Sequence, residues 1–277
     1  MRLVRFAAEG QVRFGHLEGD TVVPVAGDTF VDALEGREKG APLALSVVQL
    51  LAPVPAPRKI LGIGVNYAAH AAESVSFVNT SKPEVQKWFN KQATAVNGPY
   101  APVHLPKVSG QLDYEGELVV VIGRHGRHVP AARAMEIVAG FCIGCDYSVR
   151  DWQKASQTMI MGKGFDTHAP FGPALVTPDE LGEISDLEIR SYVNGEQRQS
   201  GRPRDMIHDI GAQIAHLTAA FTLEPGDVIF TGTPAGVGAG FDPPKWLKAG
   251  DRVRIEIDGL GHIENEIVPE PDTARIG

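Results

Sequence analysis

Cysteine is almost missing from this chain: Cys142 and Cys145 are the only two among 277 residues. A disulfide framework is therefore excluded, and so is the usual structural zinc site, which needs a second ligand pair at similar spacing. The C-x-x-C spacing would suit a redox pair at the start of a helix. Here Phe141-Cys142-Ile143-Gly144-Cys145 reads as the end of an apolar strand, so two reduced, packed thiols are expected. Long apolar runs are missing as well. No stretch approaches the roughly 18 apolar residues that a membrane-spanning helix needs. Met1-Arg2-Leu3-Val4-Arg5-Phe6 does not lead into a signal peptide, and cytoplasm is the expected compartment. Positive charge is short: 26 Lys and Arg face 34 Asp and Glu, a formal net charge of −8. That surplus repels phosphate backbones and argues against nucleic acid as a partner. An anionic substrate would need a local cation, either a metal or particular Lys and Arg side chains.

The remaining composition, 43% hydrophobic and 22% charged, is that of a folded globular protein. The length suits one large domain, or a large domain with a small one. Short alternating bursts open the chain: Leu3–Phe6, Gln11–Phe14 and Thr21–Pro24, with Gly10, Gly19-Asp20 and Gly27-Asp28 between them as turn residues. They predict a small N-terminal β module with a short helix within 29–50. Pro53, Pro55 and Pro57 then form a stiff, extended connector. We place the boundary there, giving a module over 1–55 and a larger unit over 56–277.

Beyond the connector, strands are predicted at Lys59–Val65, Leu118–Gly123, Ile137–Cys145, Leu187–Val193, Asp227–Phe230, Arg252–Ile257 and Ile263–Val268. Helices are predicted at Ala68–Glu73, Ala131–Met135, Ser148–Gln157 and Asp205–Ala220, with Asp146 and Ser148 as candidate caps of the third. Strands outnumber helices and do not alternate with them as a doubly wound sheet requires. An α+β, β-rich fold with a mixed sheet is expected.

The chemistry begins at Asp113-Tyr114-Glu115-Gly116-Glu117-Leu118. Glu115 and Glu117 are two apart at the entrance to a strand, so both carboxylates share a face. Like charges that close repel each other unless a cation compensates, and oxygen ligands suit Mg²⁺, Mn²⁺ or Ca²⁺. The plainer reading is a solvated, charged strand end. Asp146, directly after the apolar strand 137–145, offers a third carboxylate. A 1,2- or 1,3-dioxygenated acid would chelate an ion so held. His70 and Glu73 stand three apart on a predicted helix, where the carboxylate can orient the imidazole; the plainer reading is a surface pair.

Several strings then fall in one order and spacing. They are Glu115-x-Glu117, Gly144-Cys145-Asp146-x-Ser148-x-Arg150-Asp151-x-Gln153, Gly162-Lys163-Gly164-Phe165-Asp166, Val193-Asn194-Gly195-Glu196-x-Arg198-Gln199, Leu223-Glu224-Pro225-Gly226-Asp227 and Thr231–Gly238. Together, from about Lys59 to Val268, the chain resembles the C-terminal catalytic domain of the fumarylacetoacetate hydrolase family. The resemblance implies a mixed β-roll, a homodimer, and Mg²⁺ or Mn²⁺ (Ca²⁺ being compatible) on Glu115, Glu117 and Asp146. It implies Lys163 as the lysine that meets substrate charge, Arg150, Gln153 and Thr233 as substrate-binding residues, and His70 with Glu73 as a water-activating pair. The segment Ser74–Asn97 reads as a lid, with Lys87–Gln92 as an aromatic wall and Lys91 similar to a family lysine. Two positions depart from the family pattern: Cys145 stands where asparagine is common, and Gly164 where serine is common. Thr231–Gly238 lacks the lysine and spacing of a phosphate loop.

The implied activity is hydrolysis of a C–C bond in an acylpyruvate or related β-diketo acid. Two alternatives use the same site: decarboxylation of an oxaloacetate-like acid, and isomerisation or hydration of an unsaturated 2-oxo acid. All pass through an enolate, so the ligands do not separate them. A non-catalytic oxo-acid-binding protein is the third reading, and an intact His70–Glu73 pair with Lys163 argues against it.

Overall fold

The structure is a computed structural model that describes residues 1–78 and 85–272. The strand Gly116–Ile122 is buried at every residue and lies in the middle of the larger sheet. Its β-branched run suits a strand covered on both faces. Val138–Cys145 pairs antiparallel on one side and Val228–Phe230 on the other. Outward from Val138–Cys145 come Ala169–Val176, Arg2–Ala8, Gln11–Glu18 and Thr21–Pro24; outward from Val228–Phe230 come Ile60–Gly64 and Lys87–Asn90. Val228–Phe230 runs parallel to Ile60–Gly64, so the sheet is mixed.

Alternation along the central strand separates two apolar layers. Leu118, Val120 and Ile122 join a cluster with Ile189, Val253, Ile255 and Ile263. These last residues belong to a second sheet of five strands, ordered Glu196–Gly201, Ile189–Val193, Arg252–Ile257, Gly261–Pro269 and Val103–Leu105. Val119 and Val121 face the other way, into a cluster with Leu3, Phe30, Phe171 and Phe230. The fold is the expected sheet-rich mixed architecture with few helices. Among the described residues no helix is long and apolar enough to cross a membrane.

The N-terminal strands do not stand apart: Arg2 pairs with Val176 and Leu3 with Leu175, so one sheet runs across the proline connector. Cys142 and Cys145 are both buried and free. Being an odd number of residues apart on a strand, they point into opposite layers, which removes any dithiol chemistry.

Three expectations need correcting. The helix predicted over Ser148–Gln157 is Arg150–Ala155, and neither Asp146 nor Ser148 caps it; Val149 holds the cap position without a side-chain bond. Ser148 instead donates to the Asp146 carbonyl at 3.0 Å, and the Asp146 carboxylate is drawn into a buried ion cluster. The helix predicted from Asp205 starts at Ile210, because Asp209 caps it by accepting from Ala212 N at 2.7 Å. The Ala131–Met135 helix is a 3₁₀ stretch to Ile137. Ala169–Val176 was not foreseen, since Pro170, Gly172 and Pro173 hide its strand pattern.

Candidate active site and metal centre

Register explains why three carboxylates converge. Gly116 pairs with Cys145, so one step outward Glu115 stands opposite Asp146, and the Asp146 amide donates to the Glu115 carbonyl at 2.9 Å. Residues opposite each other on an antiparallel pair share a face, as do residues two apart on one strand. Glu115, Glu117 and Asp146 are all buried, and each offers an oxygen within 4.8 Å of the others. The solvated strand end is thus not what the chain forms.

Three cations are pressed against this cluster. Lys163 contacts Glu115 and Asp146, each at 2.5 Å. Lys91 donates to Asp146 and, at 3.1 Å, to the Tyr147 carbonyl. Arg150 donates through Nε to Asp113 at 2.9 Å and through Nη1 to Gln153 at 3.0 Å, and lies 2.7 Å from Glu115. Burial alone would favour neutral Glu115, but Arg150 and Lys163 outweigh it and hold this carboxyl below the usual range. Glu117 goes the other way: burial, with Asp146 and Glu115 beside it, pushes its carboxyl well above the ordinary value. Burial likewise depresses the Lys91 ammonium, whereas Asp146 and Glu115 outweigh burial at Lys163 and raise it.

Charge balance tests the fit of a metal. Glu73, Asp113, Glu115, Glu117 and Asp146 are five carboxylates, against the three cations Lys91, Arg150 and Lys163. The deficit is two charges, which one divalent ion would cancel. The raised Glu117 carboxyl reflects its burial beside Asp146 and Glu115, an arrangement that a cation bound there would relieve. An all-oxygen ligand set suits a hard cation such as Mg²⁺ or Mn²⁺.

The loop from Thr231 completes the wall. It leaves Val228–Phe230 beside the central strand, so its groups fall next to Glu117. Gly232 N donates to Glu117 at 2.7 Å, and the Thr233 hydroxyl donates to the Gly116 carbonyl at 2.9 Å. Gly232 has φ +97°, and a Cβ there would lie 2.6 Å from that of Asn66, so only glycine fits. Farther on, Gly236 N donates to Glu73 at 3.0 Å. The other Glu73 oxygen meets His70 Nδ1 at 2.9 Å, on the helix Ala68–Val78. His70 is 4% exposed, so the pair is a buried element of the site and not a surface pair. Lys163 ends a short helix whose Gly162 packs against Gln153, where a Cβ would come within 2.3 Å of backbone nitrogen.

All nine residues expected in the site are brought together. His70, Glu115, Glu117, Arg150, Gln153, Lys163 and Thr233 line one cavity of about 50 Å³, Glu73 braces His70, and Asp146 lies behind Lys163. Asp113 was missed. It is fully buried and accepts from Arg150, Gly238 N, Ala239 N and Tyr114 N. Its signal was present, since Asp113, Glu115 and Glu117 continue one period of two. Gln199, at the end of the Val193–Gln199 string, bridges Gly116 N, Thr233 and the Pro234 carbonyl. The expected lid falls partly on 79–84, outside the described residues. Of its aromatic wall, Phe89 lines the cavity with its ring 4.7 Å from the Lys163 ammonium.

The sequence pattern of the fumarylacetoacetate (FAA) hydrolase C-terminal family matches residues 59–268. The chain belongs to the fumarylacetoacetate hydrolase family. A second pattern, Rv2993c-like, N-terminal, matches residues 1–53. Oxaloacetate tautomerase fahd2, mitochondrial, from Xenopus laevis is 43% identical over 228 residues, which are 82% of this chain and 70% of that protein. Among solved structures, 5-carboxymethyl-2-hydroxymuconate delta-isomerase from Mycobacterium smegmatis superposes with a TM-score of 0.83 at 38% identity, covering 98% of this chain and all of that one. The fumarylacetoacetate hydrolase of Exiguobacterium antarcticum does so with a TM-score of 0.87 at 35% identity, with the same coverage.

Proposed function

We propose that this protein is a divalent-metal-dependent tautomerase or isomerase, which moves a proton between the carbon beside a 2-oxo group and the carbonyl oxygen or a more distant carbon. The observation that carries this reading is that buried His70, braced by Glu73, lines the same cavity as Glu115, Glu117 and Lys163, with Asp146 against Lys163 behind them. Mg²⁺ or Mn²⁺ would be held by Glu115, Glu117 and Asp146, and when bound it supplies Lewis-acid polarisation of the substrate carbonyl. His70 takes and returns the carbon-bound proton. Glu73, fixed by Gly236 N, orients the imidazole through Nδ1 and holds it in one tautomer. Lys163 balances the negative charge that grows as the proton leaves, and Arg150 keeps Glu115 ionised and in place. Gln153 and Thr233 shape the remaining wall.

The named activities of the relatives, a tautomerase and a delta-isomerase, support this alternative better than C–C hydrolysis. Hydrolysis stays as the second reading because one superposable structure is a fumarylacetoacetate hydrolase and a His–Glu pair also suits activation of water. A homodimer, a module boundary near residue 55 and a cytoplasmic location are part of the proposal; sedimentation tests the first.

Purified protein with Mg²⁺, with Mn²⁺ and with chelator, given oxaloacetate, an unsaturated 2-oxo acid and an acylpyruvate, decides among the reactions. Loss of enol absorbance or a double-bond shift, abolished by chelator, is expected; CO₂ release or acylpyruvate cleavage alone would replace it. His70→Ala should retain metal binding yet lose about 10²–10⁴ in kcat, the size of one general base.

A further inference from the structure

Resting on that reading, we propose that Lys87 at the cavity mouth is a specificity-determining residue of this chain, its ammonium binding the distal carboxylate of a 2-oxo dicarboxylate and so selecting it over a monocarboxylate. Lys87, Phe89 and Lys91 are successive same-face positions of the strand Lys87–Asn90 and the residue after it. Lys91 is fully buried against Asp146 at the deep end, and Phe89 lies under Lys163 in the middle. Lys87 lines the same cavity from its exposed end, beside Gly64 in the neighbouring strand. At about 3.3 Å per residue, Lys87 and Lys91 stand about 13 Å apart along the strand, which leaves room for a carbon chain between a chelated head and a distal charge.

The other cations of the site face its acidic, reacting end, where Lys91, Arg150 and Lys163 are each paired with carboxylates. Lys87 lines the cavity without an ion pair or side-chain hydrogen bond among the described residues. With a divalent ion cancelling the acidic surplus, the interior would be close to neutral. On a chain of net charge −8, a dianion then needs one more cation at the entrance.

The test compares two five-carbon probes, 2-oxoglutarate and 2-oxopentanoate, which differ in the distal carboxylate. Their binding to the full chain with Mg²⁺ or Mn²⁺ is measured by calorimetry, without turnover. Wild-type protein should prefer 2-oxoglutarate by about tenfold, the worth of one charge-assisted hydrogen bond. Lys87→Met should erase the preference by weakening 2-oxoglutarate alone, and Lys87→Arg should keep it. A preference that survives in Lys87→Met, or equal affinities in the wild-type protein, overturns the assignment of Lys87 while leaving the oxo-acid site standing. Failure of both probes to bind removes the oxo-acid reading itself, and this proposal with it.

Discussion

Asp113 accepts from the Arg150 guanidinium on one side and from the amides of Gly238 and Ala239 on the other. One carboxylate thereby ties the entrance of the central strand to the loop that carries Thr233 and Gly236. Removing it leaves Arg150 short of a partner at 2% exposure and strands the amides of Tyr114, Gly238 and Ala239. Breaking a buried pair from one side costs about 3–5 kcal/mol. Asp113→Ala should therefore lower the melting temperature by about 6–20 °C, at roughly 2–4 °C per kcal/mol for a chain of this size. Asp113→Asn, which keeps an acceptor for the Gly238 amide, should lose less. Circular dichroism melts check both, and an Asn variant as unstable as the Ala variant would show that the charge paired with Arg150, and not the acceptor for the amides, carries the whole effect. Residues like Glu115 and Glu117 were readable because chemistry and period coincide. Asp113 shared the period but had no evident task, since its partners arrive from a loop 125 residues away.

The loop Thr231–Gly240 shows what an irregular segment contributes that regular elements do not. Its amides face two different carboxylates, Gly232 toward Glu117 and Gly236 toward Glu73. Both glycines have positive φ, and a Cβ on Gly236 would lie 1.9 Å from the Arg198 carbonyl oxygen. Alanine at either position forces the loop to move, at about 1–3 kcal/mol of backbone strain alone. The consequences should differ. Gly236→Ala releases Glu73 and so lowers kcat, with Mg²⁺ affinity nearly kept. Gly232→Ala disturbs Glu117 and so weakens Mg²⁺ binding first. Calorimetric metal titration beside steady-state kinetics separates them, and identical effects from both would show that the loop moves as one body. Strands such as Arg252–Ile257 were legible from their residues because both faces are set by alternation. Ala169–Val176 was not, because its pairing with Arg2–Ala8 and Val138–Cys145 is long-range and its prolines and glycine read as loop.

Over the whole molecule, the decisive contact is the one between the chain's beginning and its middle. Arg2 and Leu3 pair with Val176 and Leu175, and Leu3, Phe14 and Phe30 share one apolar cluster with Val119, Val121 and Phe171. The proline connector marks where the sequence changes character, but the sheet does not end there. Local composition could reveal the first and not the second, since pairing between strands so far apart in the chain, Arg2 with Val176, leaves no trace in either segment alone. If residues 1–55 are a covering module and not a free one, deleting them uncovers the edge of Ala169–Val176 and an apolar face together. Both are routes to association. The shortened chain over 56–277 should aggregate, although it retains His70, Lys163 and all three metal-type carboxylates. Light scattering and gel filtration read the outcome. A monodisperse, active product would show instead that the catalytic unit closes its own core, and that the shared sheet is an accessory join.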